Sequence, residues 1–170
     1  MENVCFSIRD AKPDDCPILM KMITELTVFE GTEKELENTT ERLQKDIFEP
    51  EKMASCLVAT YKRPENDKSE VIGYCLFYYG YSIMKGKLVY MVNLYITEEF
   101  RGRGYGRSLM KKVAQDAVGK GCQRMQWTVL GWNQPAIKLY QSINSIDLTA
   151  TRNCHVHTLY KEQLVQFANS

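Results

Sequence analysis

Residues 88–106 read LVYMVNLYITEEFRGRGYG, and this stretch decides the fold. Leu88–Ile96 is an almost unbroken run of β-branched, aromatic and aliphatic residues, the signature of a well-buried strand. After Thr97–Phe100 come three glycines within the six residues Arg101–Gly106. Downstream, Leu109, Val113 and Ala117 recur at i+4 beside Met110, Ala114 and Val118. That spacing predicts a helix to about Lys120, with Gly121 as its C-terminal stop. The order is strand, glycine turn, helix. Glycines let the backbone turn tightly and expose N–H groups, and a helix start adds the positive end of its dipole. The combination suits a pyrophosphate, with Arg103 and Arg107 as local cations. A P-loop would need Lys after Gly106, where Arg107 stands. A Gly-x-Gly-x-x-Gly fingerprint fails too, because its sixth position falls on Arg107 or Leu109.

Strand and helix signals alternate outward from this core. Val4–Arg9 reads as a strand. A helix capped by Asp14 or Asp15, with Pro17 in its first turn, places Leu19, Met22, Ile23 and Leu26 on one face. Glu30–Asn38 is a polar loop, the first candidate for substrate contact. A second helix starts at Thr39 or Thr40 and carries Leu43 and Ile47. Strands follow at Ser55–Tyr61, Val71–Tyr81 and Lys87–Ile96, the first two joined by the hairpin loop KRPENDKS. Beyond the central helix the pattern predicts a strand at Gln123–Leu130, a short helix at Pro135–Gln141, a strand at His155–Tyr160 and a terminal helix. No repeat or linker interrupts the chain. The expectation is one α/β (α+β) domain over residues 1–170, with a mixed, mostly antiparallel sheet flanked by helices.

Composition narrows the function classes. The 170 residues carry 22 Lys+Arg against 21 Asp+Glu, a net charge of +1, which argues against a partner held mainly through nucleic acid phosphates. No apolar run reaches the ~20 residues of a membrane span. MENVCFSIRD has no basic-then-apolar pattern, so no signal peptide is expected. The six cysteines include no Cys-x-x-Cys pair and mostly sit in apolar runs. They read as free thiols, which implies a reducing, cytoplasmic location, with the nucleus left open. No metal is expected. His155 and His157 would share one strand face but lack an obvious third ligand. The aromatic run Tyr74, Phe77, Tyr78, Tyr79, Tyr81 reads chiefly as strand core, with one or two residues reaching an amine pocket through cation–π contact. Lys111 and Lys112 read as a solvated helix face.

The Arg-x-x-Gly-x-Gly turn between strand and helix resembles the acetyl-CoA loop of the GNAT N-acetyltransferases. The resemblance sharpens in LVYMVNLYITEEFRGRGYG, in GWNQPAIKLY (131–140) and in SCLVA (55–59), with a weaker match through residues 9–30. These segments are similar to the diamine acetyltransferases, the spermidine/spermine and thialysine enzymes. The resemblance implies the GNAT fold, a homodimer, acetyl-CoA as co-substrate and direct attack by a primary amine of a small molecule. It assigns the pantetheine arm to backbone groups of Leu94, Tyr95 and Ile96, with an N–H near Leu94 meeting the developing oxyanion. It assigns the pyrophosphate to Gly102, Arg103, Gly104, Tyr105, Gly106 and Arg107. Asn133, Gln134, Pro135 and Ala136 flank the cofactor further along. Tyr140 becomes the acid that protonates the leaving thiolate. Phe29 and Glu30 match a substrate-contacting Tyr-Glu pair, and Gln126, Trp127 and Thr128 fall in the substrate-binding region.

The departures concern the amine. Val92 and Asn93 stand where the family has Glu-Asp, and Arg152 stands where it has Glu. Relative to the family, this changes local charge by about four units, a poor setting for a polycation. Cys154 and His155 stand where the family has Trp followed by a basic or His residue, and Asn144, Ser145 and Ile146 replace Arg-Gly-Ala. The expected activity is therefore acetylation of a small primary amine other than a polyamine, with an amino acid or another compound bearing a carboxylate for Arg152 as the candidate acceptor. The alternative is a CoA-binding or protein-interaction relative without catalysis.

Overall fold

The computed structural model describes residues 5–65, 68–153 and 155–170. Val4, Asn66, Asp67 and Cys154 lie outside them. The chain divides into two compact units, Met1–Leu130 and Gly131–Ser170.

The first unit is a five-stranded sheet in the order β1-β2-β3-β4-β5, with strands Phe6–Asp10, Ser55–Lys62, Ser69–Ser82, Gly86–Ile96 and Arg124–Gln126. The first three pairings are antiparallel and β4–β5 is parallel. Helices α1 (Cys16–Glu30) and α2 (Thr40–Phe48) supply Leu19, Met22, Leu26, Leu43 and Ile47 to a core shared with Cys56, Val58, Tyr74 and Tyr95. Asp15 anchors the start of α1. Its carboxylate accepts from Lys12 N at 2.7 Å and from both Arg9 guanidinium nitrogens at 2.6 and 2.9 Å. Thr39 caps α2 by accepting from Arg42 N at 3.2 Å. Helix α3 (Tyr105–Gly119) buries Leu109, Met110, Val113 and Ala117, the stripe expected from its spacing. Gly121 ends it at a φ of 77°. Lys111 and Lys112 are exposed. Cys16, Cys56 and Cys75 are buried free thiols.

One feature departs from the sequence reading here. The fifth strand covers only Arg124–Gln126, not Gln123–Leu130, because its parallel ladder to β4 ends at Tyr90–Gln126. The register between β3 and β4 then shifts: Leu76 faces Asn93, Phe77 faces Met91, and Val92 has no opposite residue. A bulge bends its strand and raises the local twist, so the edge that would have continued the ladder turns away from residues 127–130.

The second unit holds α4 (Gln134–Gln141), α5 (Leu148–Arg152) and α6 (Lys161–Ala168). Helix α5 escaped the sequence reading, although its signal is present: Asp147 Oδ1 accepts from Thr149 N at 2.9 Å and Ala150 N at 3.1 Å. The strand expected at His155–Tyr160 is absent. His155 to Tyr160 are exposed and join no ladder, and alternation alone makes no strand without a partner edge. Asn144 takes the left-handed region at φ 57°, which asparagine tolerates better than most residues.

Candidate active site

Past Tyr90–Gln126, residues 91–96 of β4 are paired on the β3 edge alone. This half-open strand runs directly into the glycine turn. Gly102 and Gly104 adopt φ values of 75° and 82°, a region closed to most side chains. Gly104 is also the N-cap of α3, and it offers no side chain to cap the helix. The N–H groups of the first helical turn therefore point outward uncapped, with the dipole behind them. Ser108 N already bonds the Gly104 carbonyl at 3.0 Å, which fixes the turn to the helix. An extended amide-bearing arm ending in phosphates fits this pair of features, since an open strand edge takes the amides and a helix N-terminus takes the anion.

The cations of the turn are differently deployed. Arg101 donates from Nε to the Ile96 carbonyl at 2.8 Å and lies 5.4 Å from the Tyr95 ring centre. Arg103 donates to the Glu99 carbonyl at 3.3 Å and sits 5.4 Å from the Phe100 ring. Just past β2, Arg63 approaches the same ring at 5.2 Å and bridges Glu70 and Glu99 at 2.6 and 2.9 Å. These contacts brace the short 3-10 turn Glu98–Phe100 that feeds the glycines. Arg107 lies exposed in the first turn of α3. Tyr105 turns its ring inward, stacked on Phe6 at 4.2 Å, so the turn presents its backbone and not its phenol.

The two sides of β4 differ. Gly106 comes close to Leu94 and Ile96, which puts those residues on the α3 side. Tyr95, paired opposite Tyr74, belongs to the core under α1 and α2. Its hydroxyl donates to Glu25 at 2.7 Å, and burial together with that carboxylate pushes the phenol up to about 12. Asn93 faces Leu76, two residues along from the Tyr74–Tyr95 pair, and so shares their side of the sheet. Further along, Tyr78 stacks on Tyr90 at 5.2 Å, and Tyr90 OH donates to Thr128 Oγ1 at 3.5 Å. Of the aromatic run, Tyr74 and Phe77 are core, as expected, while Tyr81 is exposed. Val92 is exposed at the bulge and Phe29 at the end of α1. Glu30 is half-buried, and burial raises its carboxyl above the usual range. Gln126 closes the β5 ladder, while Trp127 and Thr128 lie just beyond it. Gly73 also escaped the sequence reading: a Cβ there would collide with Ile96 and the Tyr95 carbonyl. No local signal marks so close an approach.

In the second unit, Asn133 caps α4 by accepting from Ala136 N at 3.3 Å. Pro135 occupies the first turn, and Gln134 donates from Nε2 to the Gly131 carbonyl at 3.1 Å. Tyr140 is half-buried on α4, and its carbonyl accepts from Ile143 N and Ser145 N at 3.2 Å each. Arg152 ends α5, exposed.

A mixed sheet with a half-open strand β4 and a glycine turn that starts the next helix is the fold of a group-transferring enzyme family, and the comparisons name it. Residues 20–144 match the Acetyltransferase (GNAT) family. Mouse (Mus musculus) thialysine N-ε-acetyltransferase is 38% identical over 144 residues, 84% of this chain and 85% of that protein. The cattle (Bos taurus) protein of the same name is 34% identical over 163 residues, 95% of this chain and 96% of its own. An integron cassette protein of V. cholerae shares the fold, with a TM-score of 0.76, 23% identity, and 99% and 100% of the two chains covered. The chain belongs to the GNAT acetyltransferase family and is an acetyl-transferring enzyme related to the thialysine N-ε-acetyltransferases. Among the described residues, no helix is long and apolar enough to cross a membrane, and no group of three or more His, Cys, Asp or Glu is placed to hold a metal ion.

Proposed function

We propose that residues 1–170 form a single N-acetyltransferase domain that moves acetyl from acetyl-CoA to a primary amine of a small molecule other than a polyamine. The observation that carries this reading is the half-open β4 edge ending in an uncapped, glycine-turned helix start. Acetyl-CoA supplies an activated thioester carbonyl. Backbone groups of Leu94, Tyr95 and Ile96 take its amide arm, the Gly102–Arg107 segment takes its phosphates, and Asn133–Ala136 flank it. Tyr140 gives a proton to the departing thiolate, a fitting task for a phenol with an ordinary pKa near 10.

The acceptor class follows from what stands beside β4. Val92 and Asn93 carry no charge, so these two positions do not attract a polycation. The relatives' name places the reactive amine at the end of an amino-acid side chain. We assign the same class here, with Arg152 as the partner of the acceptor's carboxylate. A homodimer in the cytoplasm is the assembly and location that accord with the family.

The test is CoA-thiol release from acetyl-CoA with a panel of amines, alongside thermal stabilisation by acetyl-CoA. Side-chain amines of amino acids are expected to turn over, spermidine poorly, and Tyr140→Phe to lower the rate roughly 100-fold. Rapid spermidine turnover that Tyr140→Phe abolishes would overturn the acceptor assignment. Silence across polyamines, amino acids and peptide N-termini would overturn acetyl transfer to amines.

A further inference from the structure

An amine attacks a thioester only as its free base, and a primary alkylamine is almost wholly protonated at neutral pH. The position where the family carries its first acid is Val92 in this chain, so the proton must leave by another route. Within the first unit, the side of the sheet covered by α1 and α2 offers two polar groups that nothing else uses. Among the described residues the Tyr74 hydroxyl has no hydrogen-bond partner, and it is buried on a side chain only 1% exposed. Glu30, the last residue of α1, is half-buried and forms no ion pair among the described residues. Tyr74 lies on the side of the sheet that carries Asn93, next to the bulge, and Glu30 at the end of α1 is near enough to act on it electrostatically.

A buried phenol with no partner is rare, because leaving it unsatisfied forfeits its whole hydration. The ionisable groups acting on this one are Cys56 of β2, Cys75 of β3, Tyr95 of β4 and Glu30 of α1, and none is a cation. Burial first, and these neighbours after it, raise the phenol well above its ordinary value, so it stays a neutral donor. Glu30 is raised by burial alone. A raised carboxyl is a stronger base than an ordinary one and still ionises below the amine it must deprotonate.

We infer that Glu30 is the proton acceptor for the attacking amine, working through one water molecule that the buried Tyr74 hydroxyl holds in place. This inference rests on the acetyl-transfer reading above. An ammonium N–H bond breaks, its proton passes to the water, and a proton of that water passes to Glu30. The freed nitrogen lone pair forms the C–N bond, the C–S bond breaks, and the thiolate takes the Tyr140 proton. The second nitrogen proton restores Tyr140, and Glu30 returns its own to solvent. Tyr74 acts here as a positioning residue.

The experiment compares wild type, Glu30→Gln and Tyr74→Phe on two acceptors. One is an ordinary alkylamine substrate, and the other an analogue with an electron-withdrawing substituent that is uncharged at neutral pH. Glu30→Gln should lose roughly 100-fold in kcat/KM on the first and less than about threefold on the second. The rising limb of its pH–rate profile should move from the raised carboxyl toward the amine's own pKa. Tyr74→Phe keeps the ring and should lose roughly fivefold on the alkylamine alone. Unchanged stabilisation by acetyl-CoA checks that each variant is folded. Equal losses on both acceptors would make Glu30 a binding or structural residue and overturn the inference, as would no loss in Glu30→Gln. Either result leaves acetyl transfer standing. Wild-type silence with every amine would overturn both.

Discussion

The turn after β4 and the helix-covered side of the same sheet lie in one unit but are built from different material. The turn is made of backbone: two glycines at positive φ, an uncapped helix start and a strand edge without a partner. Even its aromatic, Tyr105, faces away into packing against Phe6. The other side is made of side chains, with Glu25 bonded to Tyr95, Glu30 half-buried and Tyr74 unpaired. A backbone site depends on conformations that few residues reach, so its sequence is nearly fixed. A side-chain site can change one residue at a time while the strand beneath it persists. Val92 and Asn93 are of this second kind, positions whose side chains can change without disturbing the glycine turn.

The comparison breaks most severely at Gly73, where both regions depend on one close contact between β3 and the end of β4. Gly73→Ala would drive a Cβ into Ile96 and the Tyr95 carbonyl, and backbone has no rotamer with which to move aside. A loss of about 3 kcal/mol is expected in chemical denaturation, with acetyl-CoA stabilisation lost as well. An unshifted midpoint would show that the two regions are not joined there.

Asp15→Asn tests the side-chain region alone. It removes the charge that receives Arg9 and the Lys12 amide at the head of α1, for an expected loss of about 2 kcal/mol. Arg9 holds the Asp15 carboxyl below the usual range. That stabilisation is complete above the unfolded value of about 3.9 and disappears as pH falls through the lower folded value. Wild type should therefore lose this contribution in acid and the variant should not, while acetyl-CoA affinity stays the same in both. A matching acid dependence would sink the assignment.

Gly104→Ala is the mildest change and tests the turn alone. No atom blocks the new methyl, so only the positive φ resists it, at about 1 kcal/mol. The expected reading is a small shift in melting temperature with roughly a tenfold loss in acetyl-CoA affinity, because a relaxed Gly104 re-aims the helix start. Equal affinity would mean that the phosphates are held by side chains, and the contrast between the two regions would fall.

How much could be read in advance follows the same division. Leu19, Met22 and Leu26, and Leu109, Val113 and Ala117, announced their helices because burial repeats with the helical period. The glycine turn was readable because positive φ has a residue signature. The shortened β5 and the missing strand at His155–Tyr160 were not, because a strand exists only where another edge accepts it. The brace of Arg63 on Glu99 joins residues 36 apart in the chain, a distance over which no local pattern reports.

By itself, the sequence determined the strand–turn–helix core and the family, since both are written in residue type and spacing. The tertiary structure alone decided that β4 bulges at Val92 and leaves its edge open beyond Tyr90. It alone buried the Tyr74 hydroxyl, without a partner among the described residues, on the side of the sheet that carries Asn93. Register and burial are relations between distant segments, and they come into being only when those segments meet.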